Sequence, residues 1–214
     1  MNICPHTFCH FDAETHAVDA LMTLFDSVFF IDFNTRLVRG ESEPVYLPAN
    51  NVTPYNQIVF AHGYFSSALH EIAHWCIAGV ARRKLEDYGY WYCPDGRDAQ
   101  QQKEFEQVEI KPQAIERAFT LAAGRKFSVS TDNLEGAEPD REAFTQAVLK
   151  QFARYEQQGF PVRAQRFIDA LQQTFGTDAE QRRATAKQMR ATVKQMRATV
   201  KQMRATVKQM RATT

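Results

Sequence analysis

His70-Glu71-Ile72-Ala73-His74 sets two imidazoles four residues apart with a carboxylate directly after the first. In a helix that spacing puts both rings on one face, able to aim at a single ion, while Glu71 points about 100° to the side. The flanks suit a helix: Ala68 and Leu69 precede the motif, Trp75 to Ala78 follow it, and Ser66 or Ser67 is placed to cap its start. Two histidines leave a metal site incomplete, because a working centre needs a third protein ligand and open positions besides. Glu104, Glu106, Glu109 and Glu116 on the next helical stretch are the candidates. Glu109, between Val108 and Ile110, has the least polar surroundings and is the first choice, with Glu106 as the alternative; Glu104 and Glu116 read as carboxylates on a solvated face. Two chemistries use such a set. A zinc hydrolase would employ Glu71 as general base for a bound water. A non-haem iron oxygenase would use two histidines and one carboxylate on one side of the ion, leaving the other side for dioxygen and substrate. Spacing does not separate the two.

The elements that must position these residues follow from apolar periodicity. Thr15 to Phe30 reads as an amphipathic helix through Val18, Leu21, Met22, Phe25 and Phe29. Thr35 to Val38 and Pro44 to Leu47 read as short strands in a hairpin around Arg39 to Ser42, and Gln57 to His62 is a third apolar run ending at Gly63. Tyr64 to Leu85 then carries the histidine motif on a helix, and an aromatic, turn-rich stretch from Tyr88 to Arg97 follows. Ala99 to Ala123 is mostly helical with Pro112 as an expected break or restart. Arg141 to Gln157 and Val162 to Thr174 are further helices. The expectation is an α+β fold, mainly helical, with a small β-sheet packed on the helix that bears the histidines.

Composition bounds the rest. The chain has 214 residues, 44% of them apolar, enough for one substantial core without disulfides. Cys4, Cys9, Cys76 and Cys93 are too irregularly spaced for a disulfide framework, and the cluster Cys4, His6, Cys9 and His10 matches no strong zinc pattern. The longest apolar window, Val18 to Phe33, is interrupted by Asp19, Asp26 and Asp32, so no membrane span is expected. With no secretory signal visible, the expected compartment is the cytoplasm. The net charge of +1 divides unevenly: residues 1–183 hold 18 basic and all 25 acidic side chains, a balance of −7, and the remainder holds eight basic ones alone. An acidic body argues against nucleic acid as partner and for a cationic one. Residues 1–14 are expected to form a disordered extension and 15–180 the catalytic domain. Residues 181–214 hold the KQMRATV repeat, read as low-complexity or a marginal helix rather than an oligomerising coil.

Longer runs carry more than the five-residue motif. Asp32-Phe33-Asn34-Thr35-Arg36-Leu37, Glu43 to Ala49, Ile58 to Gly63, His70 to Gly79, Gly89 to Gln100, Val108-Glu109-Ile110-Lys111-Pro112-Gln113-Ala114 and Asp132 to Gly136 together resemble the bacterial elongation factor P hydroxylase family, over about residues 15 to 175. The resemblance implies a protein hydroxylase whose partner is translation elongation factor P, modifying the lysine already extended by a β-lysyl group. It implies a two-histidine, one-carboxylate metal motif, carried over to His70 and His74 with Glu109, or Glu106, as the carboxylate. Hydroxylation of an unactivated C–H bond lies beyond acid–base chemistry, so Fe(II) with molecular oxygen as cosubstrate is expected, and zinc only if the peptidase alternative holds. Glu71 keeps a catalytic or substrate-facing role. Tyr90, Trp91, Asp95 and Arg97 are the expected substrate contacts, with Tyr88 and Tyr92 able to sheath a long cationic side chain and His62 a further candidate for proton handling. No dinucleotide fingerprint or P-loop is present, so a reductant would bind elsewhere or be a separate protein.

Overall fold

The computed structural model describes residues 5–88, 96–131, 133 and 140–176, with side chains from residue 14 onward. Among the described residues five α-helices and a three-stranded sheet follow in the order α1 (Pro5–Phe33), β1 (Thr35–Arg39), β2 (Val45–Leu47), β3 (Asn56–Phe60), α2 (Phe65–Ile77), α3 (Ala99–Ala122), α4 (Arg141–Gln158) and α5 (Val162–Phe175). The mainly helical α+β expectation holds, as does the order helix, sheet, site helix. Among the described residues no helix is long and apolar enough to cross a membrane. The repeat from Lys187 lies outside them.

Three local expectations are corrected. Helix α1 begins at Pro5, ten residues before the expected start at Thr15. Its Glu14 is tied down twice, by the Arg125 guanidinium at 3.0 and 3.1 Å and by the Phe65 backbone N–H at 3.3 Å. β1 and β2 do not form a hairpin, because β3 lies between them in the order β1-β3-β2, parallel to β1 and antiparallel to β2. The close passage of the connection explains Gly40: its N–H donates to the Phe60 carbonyl, and a Cβ there would stand 2.5 Å from the Val59 side chain. Pro112 does not break α3. The ring removes one bond, to the Val108 carbonyl, while Phe105, Ala114, Ile115 and Phe119 bury the turns on both sides and keep the helix continuous.

The core lies where α1, α2 and α5 meet the sheet and α3. Phe25, Phe29, Phe33 and Trp75 pack edge to face, with the indole 5.5, 4.9 and 5.3 Å from the three rings, and Phe167 of α5 closes the cluster. Such pairs add roughly 0.5–1.5 kcal/mol each beyond area burial. Trp75 follows His74 directly, so anchoring the indole in the core turns the preceding histidine face away from it.

Candidate metal centre

Helix α2 is held at both ends by side chains from distant elements. Neither Ser66 nor Ser67 caps it; the Glu14 carboxylate receives the Phe65 N–H, and Ser67 Oγ accepts from the Ala61 N–H. The helix stops at Ile77, eight residues short of Leu85, as Ala78 turns extended (ψ 126°). There Arg163 Nη2 of α5 donates to the carbonyls of Trp75, Cys76 and Ala78 at 2.9, 3.0 and 2.6 Å. An anion at the start and a cation at the end both complement the helix dipole.

Leu69, Ile72, Ala73 and Cys76 bury one side of α2, and His70 and His74 turn to the other, toward α3. The rings approach with Nε2 atoms 3.0 Å apart. Glu109, 2% exposed, meets both: Oε1 lies 3.1 Å from His74 Nε2 and Oε2 lies 3.5 Å from His70 Nε2. Among the described residues His70, His74 and Glu109 form the one group of three ligand-type side chains that a single ion would fit, their donor atoms all within 4.8 Å of one another. Donors about 2.1 Å from one ion lie about 3.0 Å apart at a right angle and about 3.4 Å apart at the tetrahedral angle, which is the range observed. Glu109 Oε2 is also buried with no hydrogen-bond partner, a lone pair that a cation would satisfy. The residues therefore fit a divalent metal with nitrogen and oxygen ligands.

The charge balance agrees. Burial opposes ionisation of Glu109, but the two imidazoles beside it and hydrogen bonds from His74 and Gln113 outweigh this and hold its carboxyl at about 2. Burial equally opposes a charge on His70, yet the carboxylates of Glu109, Glu116 and Glu71 raise it well above the ordinary imidazole value. Burial pushes Glu71 upward, against the pull of the two histidines. Three carboxylates around two imidazoles make a place for positive charge.

The other glutamates of α3 separate cleanly. Glu106 is half-buried and accepts from Gln102 Nε2 at 3.0 Å, outside the histidine group. Glu104 is exposed and bonded to Gln100, as expected of a solvated face. Glu116, read as its equal, is not: it is 9% exposed and its Oε2 lies 2.8 Å from His70 Nδ1. Its place seven residues, or two helical turns, after Glu109 was the available signal for a shared face.

Glu71 and His74 line a cavity of about 40 Å³ that also touches Tyr46, Arg82, Arg83 and Asp87. Its wall is fastened by a backbone bridge between Tyr46 and Asp87, by the Arg82–Asp87 ion pair and by the Tyr46 hydroxyl donating to the Arg83 carbonyl at 2.9 Å. Tyr90, Trp91 and Asp95, expected at the substrate, lie outside the described residues, as does Tyr92. Tyr88 is exposed and donates to Glu86. Arg97 is 3% exposed and engaged as a clamp: Nε donates to Gln102, Nη2 to the Thr131 carbonyl, and the guanidinium stacks 3.8 Å over Phe105. These contacts match the buried guanidinium locally, as its removal from water requires. His62 is exposed in the left-handed turn before α2 (φ 55°), its ring against Tyr64.

Comparison with known proteins bears on this centre. The family model for elongation factor P hydroxylase matches residues 24–186, which include both histidines and all of α3. The chain belongs to the elongation factor P hydroxylase family. A member from Haemophilus influenzae, the elongation factor P lysine hydroxylase, is 50% identical over 163 residues, 76% of this chain and 92% of that protein. The match to this family takes in the sheet, the site helix and helices α3 to α5, and it ends at residue 186, before the KQMRATV repeat that starts at Lys187.

Proposed function

We propose that this protein hydroxylates elongation factor P at the lysine carrying a β-lysyl group, with His70, His74 and Glu109 as the ligands of an Fe(II) centre. The observation that supports it most is the meeting of the two histidines with Glu109, 35 residues beyond His74, in a chain of this family. Iron bound there would supply the redox chemistry for placing an oxygen atom from dioxygen on a side-chain carbon, which zinc lacks. Everything else falls to the protein. Glu109 would bring a full negative charge to the ion and the histidines their ring nitrogens.

Glu71 serves the substrate rather than the ion. Its carboxylate lines the cavity beside His74, where it can receive the ammonium of a long lysyl side chain or hold a proton at its oxygen. The acidic body draws such a cation in, and Tyr90, Trp91 and Asp95 complete the approach. Family membership weighs against the zinc peptidase that the histidine motif alone would suggest. Cytoplasmic residence follows from a substrate that works in translation.

The test is mass analysis of the modified lysine in cells lacking this protein, complemented with the parent or with His70→Ala. The parent should restore a species one oxygen atom heavier and the variant should not. Hydroxylation that persists without the protein would refute the assignment.

A further inference from the structure

The three ligand residues leave Glu116 unexplained: a carboxylate 9% exposed, on the same helix as Glu109, in contact with the far nitrogen of His70. Buried carboxylates are costly unless they are paired, and this one has a neighbour with a defined task. We propose that Glu116 is a positioning residue that fixes His70 as a metal ligand, accepting its Nδ1–H so that the Nε2 lone pair is turned to the ion. The inference rests on the metal-centre reading above.

The geometry makes the two histidines unequal. His70 is bracketed at both nitrogens by carboxylates of α3, Glu116 at 2.8 Å from Nδ1 and Glu109 at 3.5 Å from Nε2. A ring held this way is locked in tautomer and in rotation, and a carboxylate acceptor makes its free nitrogen a better donor to metal. Among the described residues His74 has no counterpart: its Nε2 faces His70 and Glu109, and no side chain receives its Nδ1. The backing carboxylate is itself placed by the helix. Residue 116 stands two turns past Glu109, and Ile115 and Phe119 on either side are fully buried, which fixes the register of this turn. His70 is therefore the rigid ligand, and His74, lining the cavity with Glu71, is the one left to adjust.

The test uses Co(II) as probe, titrated into the metal-free full-length protein and followed by its visible absorption. Glu116→Ala should weaken binding about 10- to 100-fold and Glu116→Gln about 3- to 10-fold. Glu104→Gln, on the exposed side of the same helix, should leave it unchanged. A structural role alone would not move the second readout, the proton spectrum of the Co(II) protein. There the parent should show one paramagnetically shifted ring N–H protected from solvent exchange, and Glu116→Ala should lose that protection.

Co(II) binding within twofold of the parent in Glu116→Ala, or a ring N–H still protected there, overturns the proposal. Should the alanine variant not fold, unchanged affinity in Glu116→Gln overturns it equally. Loss of binding in His74→Ala alongside parent-like Glu116 variants would reject only this inference. A parent that binds no Co(II) would reject the metal centre with it.

Discussion

Glu109 and Asp26 are both carboxylates drawn from water, Glu109 almost fully at the candidate centre and Asp26 in part, under the sheet. Glu109 is held at about 2 because two imidazoles and two hydrogen bonds outweigh its burial. At Asp26 burial prevails and lifts the carboxyl to about 6, outweighing the Arg36 guanidinium, whose Nε stands 3.6 Å away, and a hydrogen bond from the Leu37 backbone. One oxygen of each is buried without a hydrogen-bond partner. The contrast separates a negative charge gathered to receive a cation from one that is merely tolerated. Burial is common to both; the arrangement of partners differs.

The largest effect should come from breaking the gathered charge. Glu109→Ala should lower hydroxylation about 1000-fold, equivalent to about 4 kcal/mol, with metal content falling in parallel; a variant that keeps its metal and a tenth of its activity would show that another residue completes the set. Next comes the tolerated charge. Asp26 binds its proton more tightly folded than unfolded, so its contribution to stability is full below pH 3.8 and is lost as pH rises through about 6. Asp26→Asn should therefore be more stable than the parent at pH 7 by about 3 kcal/mol, with a flatter stability profile between pH 4 and 6 in urea titrations; equal stabilities at pH 7 would place the strain elsewhere. The smallest effect belongs to Glu106→Gln, expected to retain activity and metal affinity within twofold. A loss matching that of Glu109→Ala would exchange the roles of the two glutamates.

Glu109 was legible because its neighbours Val108 and Ile110 announced a buried position and its helix followed the histidine motif. Glu116 was not, although it stands on the same face. Arg117 beside it reads as a solvated surface, and its partner His70 lies 46 residues away. The same distance problem hid the end of the site helix, set by an arginine of α5 that reaches back over 80 residues. The strand order was lost for a different reason. Two short apolar runs around a glycine look like a hairpin, and nothing local reveals that β3 inserts between them, or that Gly40 is needed for the close approach of Val59. Periodicity gave the elements; which side chains from remote elements would clamp them was invisible.

The central claim is that His70, His74 and Glu109 act as one metal centre for hydroxylating elongation factor P. The most direct measurement incubates purified β-lysylated elongation factor P with anaerobically prepared, Fe(II)-loaded protein, admits oxygen with a reductant, and weighs the modified peptide. The parent should add one oxygen atom to the lysine side chain, while His74→Ala and Glu109→Ala, folded as judged by circular dichroism, leave it unchanged. Equal oxygen incorporation by the parent and both variants would contradict the account.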